Sequence, residues 1–491
     1  MLYIYIMPVK DKCFSNCRLF EKPECNPPRC KYASGQTLSY CRLSHRYKMK
    51  KPACNVTRRI NKSSQKDNAK KVINTFIKRS KKHLEFICSD SGVCIAFGKS
   101  TDEINRFFKG FTDFTYALSP IKQIGKASAN GFVKEITYKK EEYNADAILK
   151  SSQQADSDNL VYEYLVGIKY VNRIMKRFPC FLETYGLYFY QDEAHWQIMS
   201  NPGPVHISIL KRMKLQNAID YSRACEHSKH AAILIQHIKS AIPLVDFISE
   251  GTYTPFMKND MLYVLFIIYH ALSTLSKSFT HYDLHDGNVL LYEQEKGKYV
   301  QYHYHYEDGT ETVFYSPYIP KIIDYGRSFF DNGNVTSRKI YDKVCKTAEC
   351  DPECGRDYGF GLLEPTPFLQ ISSSLKNESH DLRLLNIVKR YMKEIEEPDK
   401  PKEATFIEVR KIVNKSVYGV GVSRKNKEFG TKENLTVSPK RIYNVKGAYM
   451  DMKKAIQLPN VMRENEANYG PGINVIGVLH VYNDGRPMIF I

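Results

Sequence analysis

The chain has 491 residues, of which 43% are hydrophobic and 25% are charged, and its formal net charge is +19. This composition is ordinary for a globular protein and excludes a wholly disordered, collagen-like or membrane-embedded chain. The length predicts about two to four domains. We expect no membrane span, because the longest apolar run, Met261 to Leu272, is too short to cross a bilayer. We also expect no signal peptide, because the first residues lack a basic region and a cleavage site.

The positive charge is concentrated near the N-terminus. Residues 1–82 contain 21 lysines and arginines against 4 acidic residues, a net charge of +17, which leaves +2 for the rest of the chain. A basic arm of this kind attracts nucleic acid, an acidic protein or anionic lipid through charge alone. A solvated arm without a dedicated partner is an equal alternative.

The N-terminal segment also contains many residues that can bind a metal ion. Its thiols and imidazole have spacings that can reach one tetrahedral Zn²⁺ ion, and free thiols in a partly ordered arm are the alternative. A second group, Cys345, Cys350 and Cys354, is interpreted as free thiols. The odd number of 13 cysteines and the expected lack of a secretory signal predict reduced thiols and an intracellular location. The N-terminal candidates are Cys13, Cys17, Cys25, Cys30, Cys41, His45 and Cys54.

Hydrophobic periodicity and turn residues predict the main elements of the chain. In chain order they are a loop-dominated segment over 1–60, a helix over 66–88, a sheet over 119–190, a buried helix over 261–279, a β-hairpin over 292–318 around Asp308-Gly309, mainly loop over 331–380, an exposed turn over 396–404, and two final strands around Asn483-Asp484-Gly485.

The stretch His281-Tyr-Asp-Leu-His-Asp-Gly-Asn288, followed by the apolar residues 289–291, is the most informative part of the sequence. Asp283 and Asn288 lie five residues apart behind a buried helix, so both can face one cavity. Asp283 can orient and deprotonate a hydroxyl group, and the Asn288 amide oxygen can hold a metal ion. Downstream, the apolar residues before Asp324 predict a strand that delivers a carboxylate able to chelate Mg²⁺.

The H-x-D-x-x-x-x-N loop followed by D-Y-G resembles the arrangement in protein kinases, and this resemblance implies nucleotide-binding residues in the region before it. It implies that Lys150 ends the strand with the nucleotide-binding lysine and that Glu163, on the following predicted helix, is its best partner. Glu141 and Glu142 are the rival partners, although they precede the strand. Gln236 and Ile238 lie where a strand and hinge would hold adenine through backbone hydrogen bonds. Asp381 is expected to brace the Asp283 loop from a helix, and an N-cap role is the alternative.

A glycine-containing segment resembles the loop that covers the phosphate groups in these kinases, and its small residues let backbone amides approach phosphate oxygens, although alone such a motif is more often a tight turn. Its residues are Ile124, Gly125, Lys126, Ala127, Ser128, Ala129, Asn130, Gly131, Phe132 and Val133. Ser128 and Lys126 stand where two glycines are usual in such loops.

Together these motifs resemble the protein kinases, with their H-x-D-x-x-x-x-N loop and a D-Y-G form of D-F-G. The segments CRLSHRYKM, ICSDSGVCIAFG, YEYLVG and DLHDGN are similar to the serine/threonine-type kinases of large cytoplasmic DNA viruses, most closely the iridovirus group. The resemblance implies an α+β, bilobal fold with a small β-rich N-lobe, a helical C-lobe and a basic Cys-rich extension. The expected regions are the extension over 1–65, a helical linker over 66–118, the N-lobe and hinge over 119–240, and the C-lobe with a C-terminal extension over 241–491.

The resemblance implies ATP as cofactor, with Mg²⁺, or Mn²⁺ in its place, and Ser/Thr on protein as substrate. Asp283, Lys150 and Asn288 are the implied catalytic residues, and Asn288 and Asp324 the metal ligands. It also implies action in the host cytoplasm, with packaging in the virion as a further expectation.

Three departures from the family keep other functions open. Tyr282 replaces the usual arginine, His285 stands where a lysine usually contacts the transferred phosphate, and no A-P-E motif follows Asp324. The alternatives are a small-molecule phosphotransferase on the same fold and a non-catalytic protein that binds through its basic arm.

Overall fold

The computed structural model of the chain describes residues 30–34, 39–43, 84–85, 87–88, 92–128, 131–152, 160–216, 230–249, 255–344, 359–362, 369–372, 374–393, 401–416, 420–422, 429–431, 443–470, 472 and 474–491.

The chain divides into two compact units, Met1–Lys78 and Arg79–Ile491. In the first unit, strands β1 (Cys30–Ser34) and β2 (Ser39–Leu43) form an antiparallel hairpin. The other candidate zinc ligands, Cys13, Cys17, Cys25, His45 and Cys54, lie outside the described residues, as do Cys345, Cys350 and Cys354.

The second unit begins with a six-stranded antiparallel sheet of strand order β3-β4-β5-β8-β6-β7. Alternate residues of β4 are buried, because successive side chains of a strand point to opposite faces. Its elements, with the helices beside it, are α1 (Thr101–Phe107), β3 (Lys122–Ser128), β4 (Gly131–Lys140), β5 (Tyr143–Ser151), α2 (Leu160–Val166), α3 (Asn172–Ile174), β6 (Thr184–Phe189), α4 (Glu193–Ser200), β7 (Lys214–Leu215) and β8 (Ala231–His237).

Helices surround a long apolar helix in the following part of the same unit. This helix, α7, is apolar on all sides and is buried over almost its whole length, which is the pattern of a core helix. The helices are α5 (Leu244–Ser249), α6 (Pro255–Asn259), α7 (Met261–Leu275), α8 (Ser337–Val344), α9 (Arg383–Lys393), α10 (Ala404–Lys415), α11 (Val445–Ile456) and α12 (Pro459–Tyr469).

Several small sheets accompany these helices, with strand orders β14-β11-β9, β10-β15, β13-β12-β20-β21, β16-β17 and β18-β19. Their pairings are antiparallel except that β12 and β20 are parallel. The strands are β9 (Ile242–Pro243), β10 (Phe279–Thr280), β11 (Val289–Glu293), β12 (Tyr299–His305), β13 (Glu311–Ser316), β14 (Tyr318–Ile322), β15 (Phe329–Phe330), β16 (Gly359–Leu362), β17 (Leu369–Ser372), β18 (Val420–Val422), β19 (Phe429–Thr431), β20 (Val475–Tyr482) and β21 (Ile489–Phe490).

The structure has the α+β organisation predicted from the sequence, and it confirms several elements. The predicted sheet, the buried helix, the hairpin around Asp308-Gly309 and the two final strands are all present. The predicted loop over 331–380 was partly wrong, since it contains α8, β16 and β17. No helix in the described part of the chain has the length and apolar character needed to cross a membrane.

The expectation of reduced thiols was wrong at one pair of cysteines. Cys88 and Cys94 form a disulfide, and their Cα atoms lie 4.0 Å apart across an antiparallel bridge of the backbone. This pairing depends on chain reversal between the two residues, which spacing alone does not reveal. Cys180 is a free thiol in the core, where burial raises its pKa to about 12.

Three buried histidines predict a loss of stability in acid. Burial lowers the pKa of His270 and of His281 to about 4, and that of His380 to about 3. Below about pH 6.5 the unfolded chain binds a proton at each of these histidines, whereas the folded chain keeps them neutral. The free energy of unfolding therefore decreases as the pH falls below about 6.5. We expect each histidine to contribute about 2 kcal/mol to the loss between pH 6.5 and 5.

Urea denaturation at both pH values measures this loss. His270→Gln should make the pH dependence shallower, whereas His206→Ala, at an exposed position, should leave it unchanged. A free energy of unfolding that is the same at pH 6.5 and pH 5 would contradict the prediction.

Candidate active site

The central contact of the site is a lysine held between two carboxylates. Lys150 Nζ on β5 lies 2.8 Å from Glu163 Oε2 on α2 and 3.0 Å from Asp324 Oδ1 after β14. Glu163 is the partner that the sequence predicted for Lys150. The rival residues Glu141 and Glu142 lie in the turn before β5. Asp324 therefore contacts a lysine that lies 174 residues before it in the chain.

The local structure explains why these side chains meet. Lys150 lies on β5 between the buried residues Leu149 and Ser151, so the strand directs its side chain away from that core face. Every residue of α2 is buried, including Glu163, whose side chain is 4% exposed. Asp324 keeps 43% of its side chain exposed, so it is the carboxylate of the pair that solvent or a ligand can reach.

The charges at this contact stabilise one another. The Lys150 ammonium lowers the pKa of Asp324 below its ordinary value, although burial opposes the shift. Burial raises the pKa of Glu163, and the attraction of Lys150 acts against it. In this arrangement a metal ion can take the place of the ammonium at Asp324, and the Lys150 ammonium can then bind a phosphate group.

A buried carboxylate braces the loop that contains Asp283. Asp381 accepts hydrogen bonds from the backbone N–H groups of His281 (2.8 Å) and Tyr282 (3.0 Å). Its bracing role, predicted from the sequence, is confirmed, and the N-cap alternative is wrong, because Asp381 lies inside the short helix His380–Leu382, whose N-cap is Ser379. Burial raises the pKa of Asp381 to about 7, while the two N–H donors lower it.

Asn288 and Asp324 are brought together by backbone pairing. The Ile323 N–H donates to the Asn288 carbonyl oxygen at 3.1 Å. Strand β11 pairs with β14, and Val289 is the register partner of Ile322. Asn288 Nδ2 donates to the Asp283 carbonyl oxygen at 2.9 Å, which leaves the amide oxygen to bind a cation. An amide oxygen beside a carboxylate is a donor set that suits a hard ion such as Mg²⁺.

Two residues of the site adopt the left-handed backbone region. Tyr282 has φ of 64° and Asp324 has φ of 66°, and neither is glycine. Such conformations cost energy and persist where the surrounding contacts enforce them. Their positions, one beside Asp283 and the other at the predicted metal ligand, are those of a functional site.

The predicted phosphate-covering segment forms a hairpin next to Lys150. Residues Ile124 to Ser128 belong to β3, Gly131 to Val133 belong to β4, and Ala129 and Asn130 lie outside the described residues. Val133 pairs with Lys150 in the sheet, so the hairpin begins beside the lysine. Gly131 has φ of 147°, and a Cβ there would lie 2.1 Å from the Ser151 carbonyl oxygen. Glycine is therefore required at this position.

Phe132, one residue of the predicted phosphate-covering segment, has its side chain in the core. It is the strand neighbour of Val133 and therefore lies on the opposite face of the sheet from Lys150. Its ring is buried in the core and packs near Trp196, with centroids 6.3 Å apart.

One backbone group of each residue at the predicted adenine hinge has a protein partner. The Gln236 N–H donates to the Glu183 carbonyl oxygen at 2.8 Å, and its side-chain oxygen accepts from the Glu183 N–H. The Ile238 side chain is buried, and its carbonyl oxygen accepts from the Ala241 N–H. Neither residue contacts the Lys150 group in the described hydrogen bonds and ion pairs.

Sequence reasoning missed two arginines that contact Asp283. Arg383 Nη1 lies 2.6 Å from Asp283 Oδ1, and Arg327 Nη1 lies 3.5 Å from Oδ2. The available signal was the position of Arg383 two residues after Asp381, which already faced this loop. Arg383 also lines a cavity of about 410 Å³. The other lining residues are His285, Asp286, Ile387, Arg390 and Tyr391.

Removal of the Asp381 carboxylate is expected to destabilise the site. Asp381→Ala leaves two buried N–H donors without an acceptor, at a cost of about 1–3 kcal/mol for each donor. Asp381→Asn keeps one acceptor oxygen and should lose less. Thermal or urea denaturation measures both variants, and an Asp381→Ala protein as stable as the wild type would contradict the bracing role.

The chain matches no protein-family model and no curated protein. The assignment of a function therefore depends on the chemistry of this site: a lysine between two carboxylates, an aspartate on a braced loop in contact with two arginines, and an amide and a carboxylate that suit a divalent cation.

Proposed function

We propose that the protein is an ATP- and Mg²⁺-dependent phosphotransferase with a bilobal, protein-kinase-like fold, and that it phosphorylates serine or threonine on proteins. The observation that carries the proposal is the contact of Lys150 with Glu163 and Asp324. In phosphoryl transfer, such a lysine holds the α- and β-phosphates, and the second carboxylate binds the metal ion. The six-stranded sheet would form the small lobe, and the helices around α7 the large one.

Each remaining site residue then has a role. Asp283 orients the acceptor hydroxyl and receives its proton, while Asn288 and Asp324 hold Mg²⁺, or Mn²⁺ in its place. The hairpin over 124–133 covers the phosphates with backbone amides. Because this chemistry requires little covalent work by the protein, positioning and charge stabilisation supply most of the rate enhancement.

The arginines near Asp283 support the proposal by replacing a missing cation. His285 stands at the position where protein kinases usually have a lysine that contacts the transferred phosphate. Arg383 and Arg327 bring two guanidinium groups to Asp283, two residues before it. Arginine pairs well with phosphate oxygens and stabilises the charge that develops during transfer.

A small-molecule phosphotransferase is the second candidate, and the cavity beside Asp283 is the observation that favours it. Its volume of about 410 Å³ lies within the range of small-molecule pockets. Its lining includes Arg383 and Arg390 against one acidic residue, Asp286, so an acceptor bound there would be anionic. A panel that contains casein, a basic protein and phosphorylated or carboxylated alcohols separates the two candidates.

The basic N-terminal residues are proposed to bind an acidic partner or nucleic acid, with Zn²⁺ as a further ligand of their cysteines. Deletion of residues 1–82 distinguishes a binding protein from an enzyme. A binding protein loses its salt-sensitive partner affinity, whereas an enzyme keeps turnover on a small substrate.

Magnesium-dependent nucleotide binding tests the proposed function. Titration calorimetry should show that the wild type binds ATP more tightly with Mg²⁺ than without it, and that Asp324→Asn loses this difference. Asp308→Asn, in an exposed hairpin turn, is the matched control and should behave as the wild type. Absence of ATP binding by the wild type would overturn the proposal.

A further inference from the structure

Three histidines lie together on one face of the sheet β13-β12-β20-β21, outside the proposed active site. His303 and His305 are two residues apart on β12, so their side chains share a face. His480 lies on β20 opposite His303 in the parallel register. One ring nitrogen from each of the three lies within 4.8 Å of the others.

The alternation of β12 explains why these imidazoles are clustered. Tyr302 and Tyr304 point into the core and are fully buried, which places the histidines between them on the other face. On β20, the buried residues Leu479 and Val481 flank His480 in the same way. The three histidines are half-buried, so ions from solvent can reach them.

The nitrogen atoms are close enough to share one ion. His305 Nε2 lies 2.9 Å from His480 Nδ1. Two nitrogen ligands of a tetrahedral Zn²⁺ ion, each at about 2.0–2.1 Å from the metal, are separated by slightly more than this. A small outward movement of the rings therefore makes room for the ion.

Glu311 occupies the position of an outer carboxylate. Its Oε2 lies 3.5 Å from Nδ1 of His303 and 3.5 Å from Nδ1 of His305. For His305, this is the ring nitrogen opposite the one that faces His480. A carboxylate that accepts from Nδ1–H fixes the tautomer with Nε2 as the metal ligand, as in many zinc sites.

We propose that His303, His305 and His480 form a Zn²⁺ site that fastens strand β20 to the hairpin β12–β13. The ligand set, three imidazoles with an open fourth position, suits Zn²⁺ among the common divalent ions. The site joins segments 175 residues apart, so the ion would stabilise the attachment of the C-terminal strand. This site does not depend on the proposed phosphotransferase activity.

Metal binding by the full-length chain tests this site. Metal analysis and titration with Zn²⁺ should show one equivalent fewer in His303→Ala/His480→Ala than in the wild type. Zn²⁺ should also raise the Tm of the wild type, and it should leave the Tm of the double variant unchanged. His206→Ala, which removes an exposed histidine elsewhere, should retain both properties.

Two further measurements make the result specific. Glu311→Gln should weaken the affinity about 10- to 100-fold while the stoichiometry stays the same. Co²⁺ in place of Zn²⁺ distinguishes this site from the N-terminal cysteines, because thiolate ligands add a charge-transfer absorption band that imidazoles lack.

The proposed Zn²⁺ site would be contradicted if the double variant bound as much Zn²⁺ as the wild type with the same affinity. Circular dichroism checks that the variant is folded. If the double variant does not fold, His305→Gln replaces it. Unchanged Zn²⁺ stoichiometry and affinity in His305→Gln would overturn the site equally.

Discussion

Lys150→Met is expected to abolish magnesium-dependent ATP binding and phosphoryl transfer. The substitution removes the cation between Glu163 and Asp324 and leaves a buried carboxylate without its partner. Because Lys150 is partly exposed, the loss of folding stability should be modest, about 1–3 kcal/mol. The functional loss should be far larger, since methionine cannot bind the phosphates. Calorimetric titration with MgATP and urea denaturation measure the two effects separately.

Lys139→Met is the matched control for this experiment. Lys139 lies on the neighbouring strand β4 with an exposed side chain, outside the proposed site. It should bind MgATP as the wild type does. An affinity of Lys150→Met equal to that of the wild type would remove Lys150 from the nucleotide site.

Asp283→Asn is expected to reduce the rate of transfer by about 10²- to 10⁴-fold, the range for a lost general base. ATP affinity should stay nearly unchanged, because Asp283 is proposed to contact the acceptor and not the nucleotide. The asparagine oxygen can still accept from Arg383, so the loop should keep its geometry. Single-turnover kinetics with saturating MgATP measure the chemical step.

Asp308→Asn is the control for the loss of a carboxylate, since Asp308 lies in an exposed turn. It should retain the wild-type rate. A single-turnover rate of Asp283→Asn that matches the wild type would show that Asp283 takes no part in the reaction.

Local sequence patterns were sufficient to predict the elements whose residues are close in the chain. The apolar pattern over 261–279 predicted the core helix, and Asp308-Gly309 between alternating residues predicted the hairpin. The pairing of Lys150 with Glu163 was also predicted, through the resemblance of this region to protein kinases.

Contacts between distant segments could not be predicted in the same way. Arg383 contacts Asp283, which lies 100 residues earlier in the chain. The contact forms because Asp381, two residues before Arg383, holds the Asp283 loop. The histidines of β12 and β20 meet through a parallel strand pairing whose register has no local signal. The core position of the Phe132 side chain follows from the alternation of β4, which the motif containing this residue does not reveal.

The most direct test of the phosphotransferase proposal is transfer of label from γ-labelled ATP with Mg²⁺ to casein, a basic protein and anionic small alcohols. We predict label on serine or threonine of protein, lost in Asp283→Asn and in Asp324→Asn and retained in Asp308→Asn. Label on a small molecule alone would support the second candidate. Label transfer that is equal in the wild type and in both site variants, or no transfer despite tight MgATP binding, would contradict the proposal that this site transfers phosphoryl groups.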